Sequence, residues 1–168
     1  KLFREMADAG CTHVVMEVSS HSLTLERVAG IMFDVAVFTN LSQDHLDLHG
    51  TMDEYAAAKK KIFSQCRMGC VNADDERAPF MLEGAKCPML TYSAAGGDAK
   101  LKAENVYLTG EGVHFETVYG AERVQTELAI PGMFSVYNAL GIIAAGLSLG
   151  ISLEKCAHAL SSAKGVKG

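Results

Sequence analysis

The chain carries no basic run longer than Lys59–Lys61, no C-x-x-C pair and no charge-free stretch suited to a bilayer. With 15 Lys and Arg against 20 Asp and Glu, the net charge is −5. Such a balance leaves no electrostatic footprint for nucleic acid or an anionic membrane surface. A phosphate-bearing ligand would need local cations or a bound metal. The cysteines at 11, 66, 70, 87 and 156 are odd in number and unpaired in spacing. That argues against a disulfide framework or a structural zinc site, and implies reduced core residues in a cytoplasmic protein. Met133–Leu153 lacks formal charge, but Tyr137, Asn138, Gly141, Gly146, Gly150 and interspersed serines fit a buried helix pair better than a membrane span. No secretory pattern opens the chain and its first residue is Lys1, so it reads as a piece of something longer. There is no G-x-x-x-x-G-K-[ST] loop, so these residues do not cradle nucleotide phosphates by that means. Internal repeats and low-complexity linkers are absent too.

What remains is a 168-residue chain, 49% hydrophobic and 21% charged, the balance of one globular domain with a real core. Leu2, Phe3 and Met6 at helical spacing before Gly10 predict a first helix with a glycine stop. Thr12–Val18 is apolar and β-branched, which predicts a buried strand with Glu17 near its carboxyl end. Ser22 is the expected cap of a short helix through Arg27 that stops at Gly30. Asp34–Leu41 predicts a second buried strand, and a helix between two such strands implies a parallel, right-handed crossover. Gly69–Asp75 predicts a short strand ending in a polar turn, and Pro88–Tyr92 another strand. From Ala103 the pattern alternates through Val106–Leu108, Gly112–Val118 and Val124–Ile130, with turns at Thr109-Gly110 and Tyr119-Gly120, an antiparallel meander. Pro131-Gly132 ends it, and helices follow over about Phe134–Leu149 and Leu153–Ala163, the second capped by Ser152. The class is therefore α/β, a largely parallel Rossmann-like sheet flanked by helices, with an added antiparallel strand meander.

Chemistry concentrates between Glu17 and Lys59. Thr51 followed by Glu54 is a capping-box spacing that starts a helix at Met52. At 100° per residue, Tyr55, Ala58, Ile62, Phe63 and Cys66 share one arc of it, with Lys59 in the middle and Lys60 and Lys61 pointing to water. A lysine on the packed face must snorkel, find a partner or lose its charge. Upstream, Asp44, His45, Asp47 and His49 form an acid- and imidazole-rich loop. With Glu17 at the carboxyl edge of the same sheet, where open α/β sheets bind ligands, three unlike groups could converge. Carboxylates, water and phosphate oxygens suit magnesium better than zinc, since there is no cysteine in the loop and no H-E-x-x-H. Each group also has a plain alternative: a solvated strand-end glutamate, serines that only cap, a lysine whose head reaches water.

Taken together, Glu17-Val-Ser-Ser-His-Ser-Leu23 with Arg27, Thr39-Asn-Leu-Ser-Gln-Asp-His-Leu-Asp-Leu-His-Gly50, Tyr55-Ala-Ala-Ala-Lys59 with Ile62-Phe63, Asn72-Ala-Asp-Asp75 and Pro131-Gly-Met-Phe-Ser-Val-Tyr-Asn-Ala139 resemble the central, ATP-binding domain of the Mur ligases. Within that family the likeness is to members that add meso-diaminopimelate or L-lysine to UDP-N-acetylmuramoyl-L-alanyl-D-glutamate during peptidoglycan precursor synthesis. The resemblance covers residues 1–168 as a partial central domain, with the phosphate loop expected upstream and the amino-acid-binding domain downstream. It implies that Glu17, His45 and Lys59 hold Mg2+, Lys59 as a carbamate. Ser19 and Arg27 would bind the UDP-N-acetylmuramoyl dipeptide, and Asn138 the adenine of ATP. The implied partners are that dipeptide, ATP and a diamino acid, acting on a cytoplasmic monomer, with the piece alone silent. Asp47 and His49 match the motif without an assigned ligand role. One departure is Ser135, where the family usually has asparagine. Other amide ligases of the superfamily, of cyanophycin or folylpolyglutamate type, and a non-catalytic nucleotide-sugar-binding module are the alternatives.

Overall fold

The computed structural model describes residues 2–42 and 50–163. Helix α1 (Leu2–Asp8) and the short α2 (Ser20–Thr24) precede strand β1 (Phe33–Phe38). Helix α3 (Met52–Lys60) runs into a 3-10 turn (Lys61–Ser64) and then β2 (Cys66–Asn72). Helix α4 (Ala78–Leu82), which no local pattern predicts, leads to β3 (Met89–Ser93). The chain continues through β4 (Leu101–Leu108), β5 (Val113–Tyr119), β6 (Glu122–Leu128), α5 (Met133–Ser148) and α6 (Leu153–Ser161).

Among the described residues these strands form one six-stranded sheet in sequential order. β1, β2, β3 and β4 run parallel, while β4–β5 and β5–β6 are antiparallel. The α/β class with an appended meander is therefore observed. β3 and β4 pair only at Tyr92 with Leu101 and Ser93 with Lys102, so β4 starts where β3 stops. A parallel neighbour normally needs a long crossover. Here the chain sidesteps and carries on in the same direction, and residues 94–100 suffice. β4 is longer than the expected 106–108, and its pairing to β5 shifts between Glu104 and Tyr107 around Asn105, whose φ is 53°. That is the signature of a bulge, with asparagine in the left-handed region it tolerates well.

The main core lies between the sheet and α5 and α6, where Tyr92, Leu101, Val113, Phe115, Val136, Leu140 and Ile143 are all buried. A second cluster on the opposite side joins Ala36, Phe38, Ala56, Phe63, Val71 and Met81.

Four expectations are corrected. Residues 12–18 form no strand: with β1 they line a cavity of about 700 Å³, and Val15 is 99% exposed. An apolar run shows a preference for burial, but a strand exists only by pairing, and the facing edge of β1 is out of reach. The cap of α2 is Ser19, whose hydroxyl accepts from the Ser22 amide at 3.1 Å, rather than Ser22 itself. Cys66 is not on the helical arc, because the helix tightens into the 3-10 turn and Cys66 opens β2. Cys11 is exposed rather than a core residue, whereas Cys66, Cys70 and Cys156 are buried.

Candidate functional site

The helix that carries Lys59 begins as the sequence predicts. The Thr51 hydroxyl accepts from the Glu54 amide at 3.2 Å, and the Glu54 carboxylate accepts from the Thr51 amide at 3.2 Å. Both orphan donors of the first turn are thus satisfied. Tyr55, Ala56 and Ala58 are buried, which fixes the helix rotation and brings Lys59, half-buried, to the inner face. Its ammonium nitrogen lies 5.3 Å from the centre of the Tyr55 ring, a cation–π contact. Lys59 has therefore found a partner, one of the three outcomes a packed lysine allows. Lys60 does not simply point to water, since its ammonium sits 4.2 Å from the centre of the Phe80 ring.

Glu17, Ser19, Ser20, Thr39, Tyr55 and Lys59 line the same cavity of about 700 Å³, against the apolar flank of β1. Although 12–18 is not a strand, its Glu17 lines this cavity beside β1. Glu17 and Ser19 are exposed on the rim and Ser20 is buried beneath them. Arg27 is exposed beyond α2 and contributes no wall, so the structure does not join it to Ser19. Asn138 is exposed near the start of α5. Ala145 of α5 and Leu149 just past its end reach the cavity, so Asn138 stands about 10 Å further along the axis at 1.5 Å per residue. Asp44, His45, Asp47 and His49 lie outside the described residues. Among the described residues no three His, Cys, Asp or Glu side chains are grouped as metal ligands. Of the expected metal set, Glu17 and Lys59 share the cavity. A carboxylate and a carbamate both present hard oxygens, which is the donor chemistry magnesium takes.

The turn Asn72-Ala-Asp-Asp75 at the end of β2 is the part that residue-by-residue reading left without a role. The Asn72 amide donates to the Thr39 carbonyl at 2.9 Å and its oxygen accepts from the Asp74 amide at 3.1 Å. The Leu41 amide donates to Asp75 at 2.8 Å. Two acids and an asparagine after a strand signal a side-chain-closed turn. Its reach back to β1 has no local signal.

The family model described as "Mur ligase middle domain" matches residues 1–146. The chain is 42% identical over its whole length to UDP-N-acetylmuramoyl-L-alanyl-D-glutamate–2,6-diaminopimelate ligase 1 of Clostridium acetobutylicum, covering 35% of that protein. It is 45% identical over 162 residues, 96% of this chain and 33% of the relative, to the ligase of the same name from Caldanaerobacter subterraneus subsp. tengcongensis. A solved structure of a UDP-N-acetylmuramoyl-L-alanyl-D-glutamate–2,6-diaminopimelate ligase superposes over 98% of this chain and 35% of its own with a TM-score of 0.90 at 29% identity. The chain thus spans about a third of the length of the curated relatives it matches.

Proposed function

The chain belongs to the Mur ligase middle domain family, and from that premise we propose that it is the central domain of an ATP-dependent ligase. That ligase adds meso-diaminopimelate to UDP-N-acetylmuramoyl-L-alanyl-D-glutamate through a new amide bond. The observation that supports this most is end-to-end likeness to ligases of that name, 42% over all 168 residues, combined with Glu17, Ser19 and Lys59 on one cavity wall. The protein works in the cytoplasm as a monomer. No helix among the described residues is long and apolar enough to cross a membrane.

In the reaction the D-glutamate carboxylate attacks the γ-phosphorus of ATP, giving an acyl phosphate and ADP. The incoming amine then adds to the acyl carbon, and the tetrahedral intermediate expels inorganic phosphate as the nitrogen loses a proton. Glu17, His45 and a carbamylated Lys59 would hold magnesium, which would supply charge neutralisation for phosphate oxygens. Ser19 offers a hydroxyl at the rim to the muramoyl peptide and Arg27 a cation to its phosphates, while Asn138 holds the adenine. Lys59 must first give up its proton, because only the neutral amine adds carbon dioxide; its place over the Tyr55 ring keeps it close to the rim where the anion would be needed.

The test uses the full-length protein with the UDP-linked dipeptide, ATP, Mg2+ and either meso-diaminopimelate or L-lysine, followed by ADP release and product mass. Ligation with diaminopimelate is expected. Glu17→Gln and Lys59→Ala should each lower kcat by about a hundredfold or more, the scale of removing one group that stabilises developing charge, with the melting temperature unmoved. A carbamate carbon resonance under 13C-bicarbonate should vanish in Lys59→Ala. Loss of folding in place of activity, or no ADP from the wild type, overturns the assignment. The 168-residue piece alone is expected to release no ADP.

A further inference from the structure

The mechanism above uses no sulfur atom of the chain, yet three of them meet at one joint. Cys66 opens β2, Cys87 stands two residues before Met89, and Met89 is the first residue of β3. The Cys66 and Cys87 sulfurs lie 3.6 Å apart, and the Cys87 sulfur lies 3.5 Å from the Met89 thioether. Both thiols are free, and both are within donating distance of one oxygen, the Phe63 carbonyl, at 3.9 and 3.6 Å. Gly69 leaves room for the thioether, because a Cβ there would collide with the Met89 sulfur. Cys66 is buried while Cys87 and Met89 are half-buried beside exposed Lys86 and Pro88. The cluster therefore has a buried floor and an approach from solvent. Among the described residues no His, Asp or Glu joins the two thiols as a third ligand, so the third donor at hand is the thioether. Two thiolates and a thioether are soft donors throughout, a set that selects Cu(I) and its chemical relatives over magnesium or calcium. Sulfurs bound about 2.3 Å from one ion in a plane stand about 4 Å apart. The two separations need open by only about half an ångström.

We propose that Cys66, Cys87 and Met89 form a three-sulfur site for a soft, thiophilic monovalent cation of the Cu(I) class. As the ion enters, each thiol passes its proton to solvent and gives a sulfur lone pair to the metal, so two protons leave per ion. The thioether coordinates without losing anything, and no atom changes oxidation state. The occupied site ties the start of β2 to the start of β3 beside the 3-10 turn that follows α3. An ion that binds only the assembled triad raises the stability of the folded chain.

The experiment titrates Cu(I), without oxygen, into the full-length protein and its Cys87→Ser and Met89→Leu variants, with bathocuproine disulfonate as the competing chelator. Copper retained, protons released, sulfur neighbours counted by X-ray absorption, and the melting temperature with and without copper are measured. The wild type should retain one ion more than Cys87→Ser, release two further protons on taking it up, and melt higher with copper where the variant does not. Met89→Leu keeps both thiols and nearly the same volume. It should hold the ion about tenfold to a hundredfold more weakly, the range that even a supporting partner of a metal ligand costs, with one sulfur neighbour fewer. Its copper-free melting temperature should match that of the wild type. Should Cys87→Ser fail to fold, the Met89→Leu comparison decides alone. Equal copper retention by the wild type and a folded Cys87→Ser overturns the site, and so does an unchanged affinity in Met89→Leu. A Cys66–Cys87 disulfide formed by the oxidant diamide, with no copper retained by the reduced protein, makes the two thiols an oxidisable pair and overturns it as well.

Discussion

At the β4–β6 end of the sheet, Leu101, Val113, Phe115 and Leu128 are sealed beneath α5 and α6, whereas at the β1 end Val14, Val15 and Met16 are exposed beside a cavity that they line together with β1, the edge strand among the described residues. Antiparallel neighbours close in sequence satisfy each other's backbone and bury alternate side chains, so that end completes itself. The other end brings residues with chemistry, Glu17, Ser19 and Lys59, to a rim that its own segments leave open. Completed packing and chemical potential are thus concentrated in different halves of one sheet. The difference can be tested by perturbing each half in turn.

The largest change is expected from pH, because several buried groups in the parallel half act together. Burial, with the hydrogen bond shared with Cys87 next, pushes the Cys66 thiol from its ordinary 9.0 up to about 12. Burial likewise raises Cys70 and Tyr92. The folded state keeps protons that the unfolded chain gives up. This stabilisation is therefore complete below pH 9 and is lost as the pH rises from 9 toward 12. Denaturant midpoints should fall steadily across that window, and Cys66→Ala should flatten part of the slope. A level profile to the alkaline end would contradict it.

Next comes Phe115→Ala, in the meander. Phe115 is 1% exposed and faces the main core, and truncating a buried phenylalanine costs about 3–5 kcal/mol. Equilibrium unfolding should show it as a lower midpoint with the same slope. A smaller loss belongs to Gly112→Ala, since a Cβ there would stand 2.3 Å from the Leu128 carbonyl oxygen. Backbone cannot step aside as a side chain can, so about 1–3 kcal/mol of strain is expected, seen as faster amide exchange where β5 begins and β6 ends. Thr51→Ala removes the cap of α3 and should cost about 1 kcal/mol. Serine at 51 should restore most of it.

How much of this was legible in the sequence follows from the range of each signal. The meander, α5 and α6 carry their periodicities within a few residues, and the Thr51–Glu54 box is a four-residue pattern, so all were readable. Residues 12–18 were misread because their apolar run is local while strand pairing is not. Cys66 was placed on a helix because a 100° wheel cannot announce that the chain tightens into a 3-10 turn five residues earlier. Glu17 and Lys59 line one cavity although the strand expected to carry Glu17 is not formed. The bonds from Ser93, Ala94 and Ala95 to Asp74 join residues far apart in the chain and have no period at all.

The smallest expected effect is the sharpest test of the contrast between the halves. Val15 is 99% exposed, so Val15→Ser in the 168-residue chain deletes no contact and creates no cavity. Surface changes of this kind stay within about 0.5 kcal/mol. Serine is also less prone than valine to extended backbone, which sets the sign as slightly destabilising at most. The same substitution in the full-length protein separates two cases by unfolding midpoint. An equally small shift means the rim stays open to water there. A loss of about 1–3 kcal/mol, the scale of burying a valine side chain, means other residues of the longer chain cover Val15. The open half would then be completed from outside these 168 residues, while the meander half is complete within them.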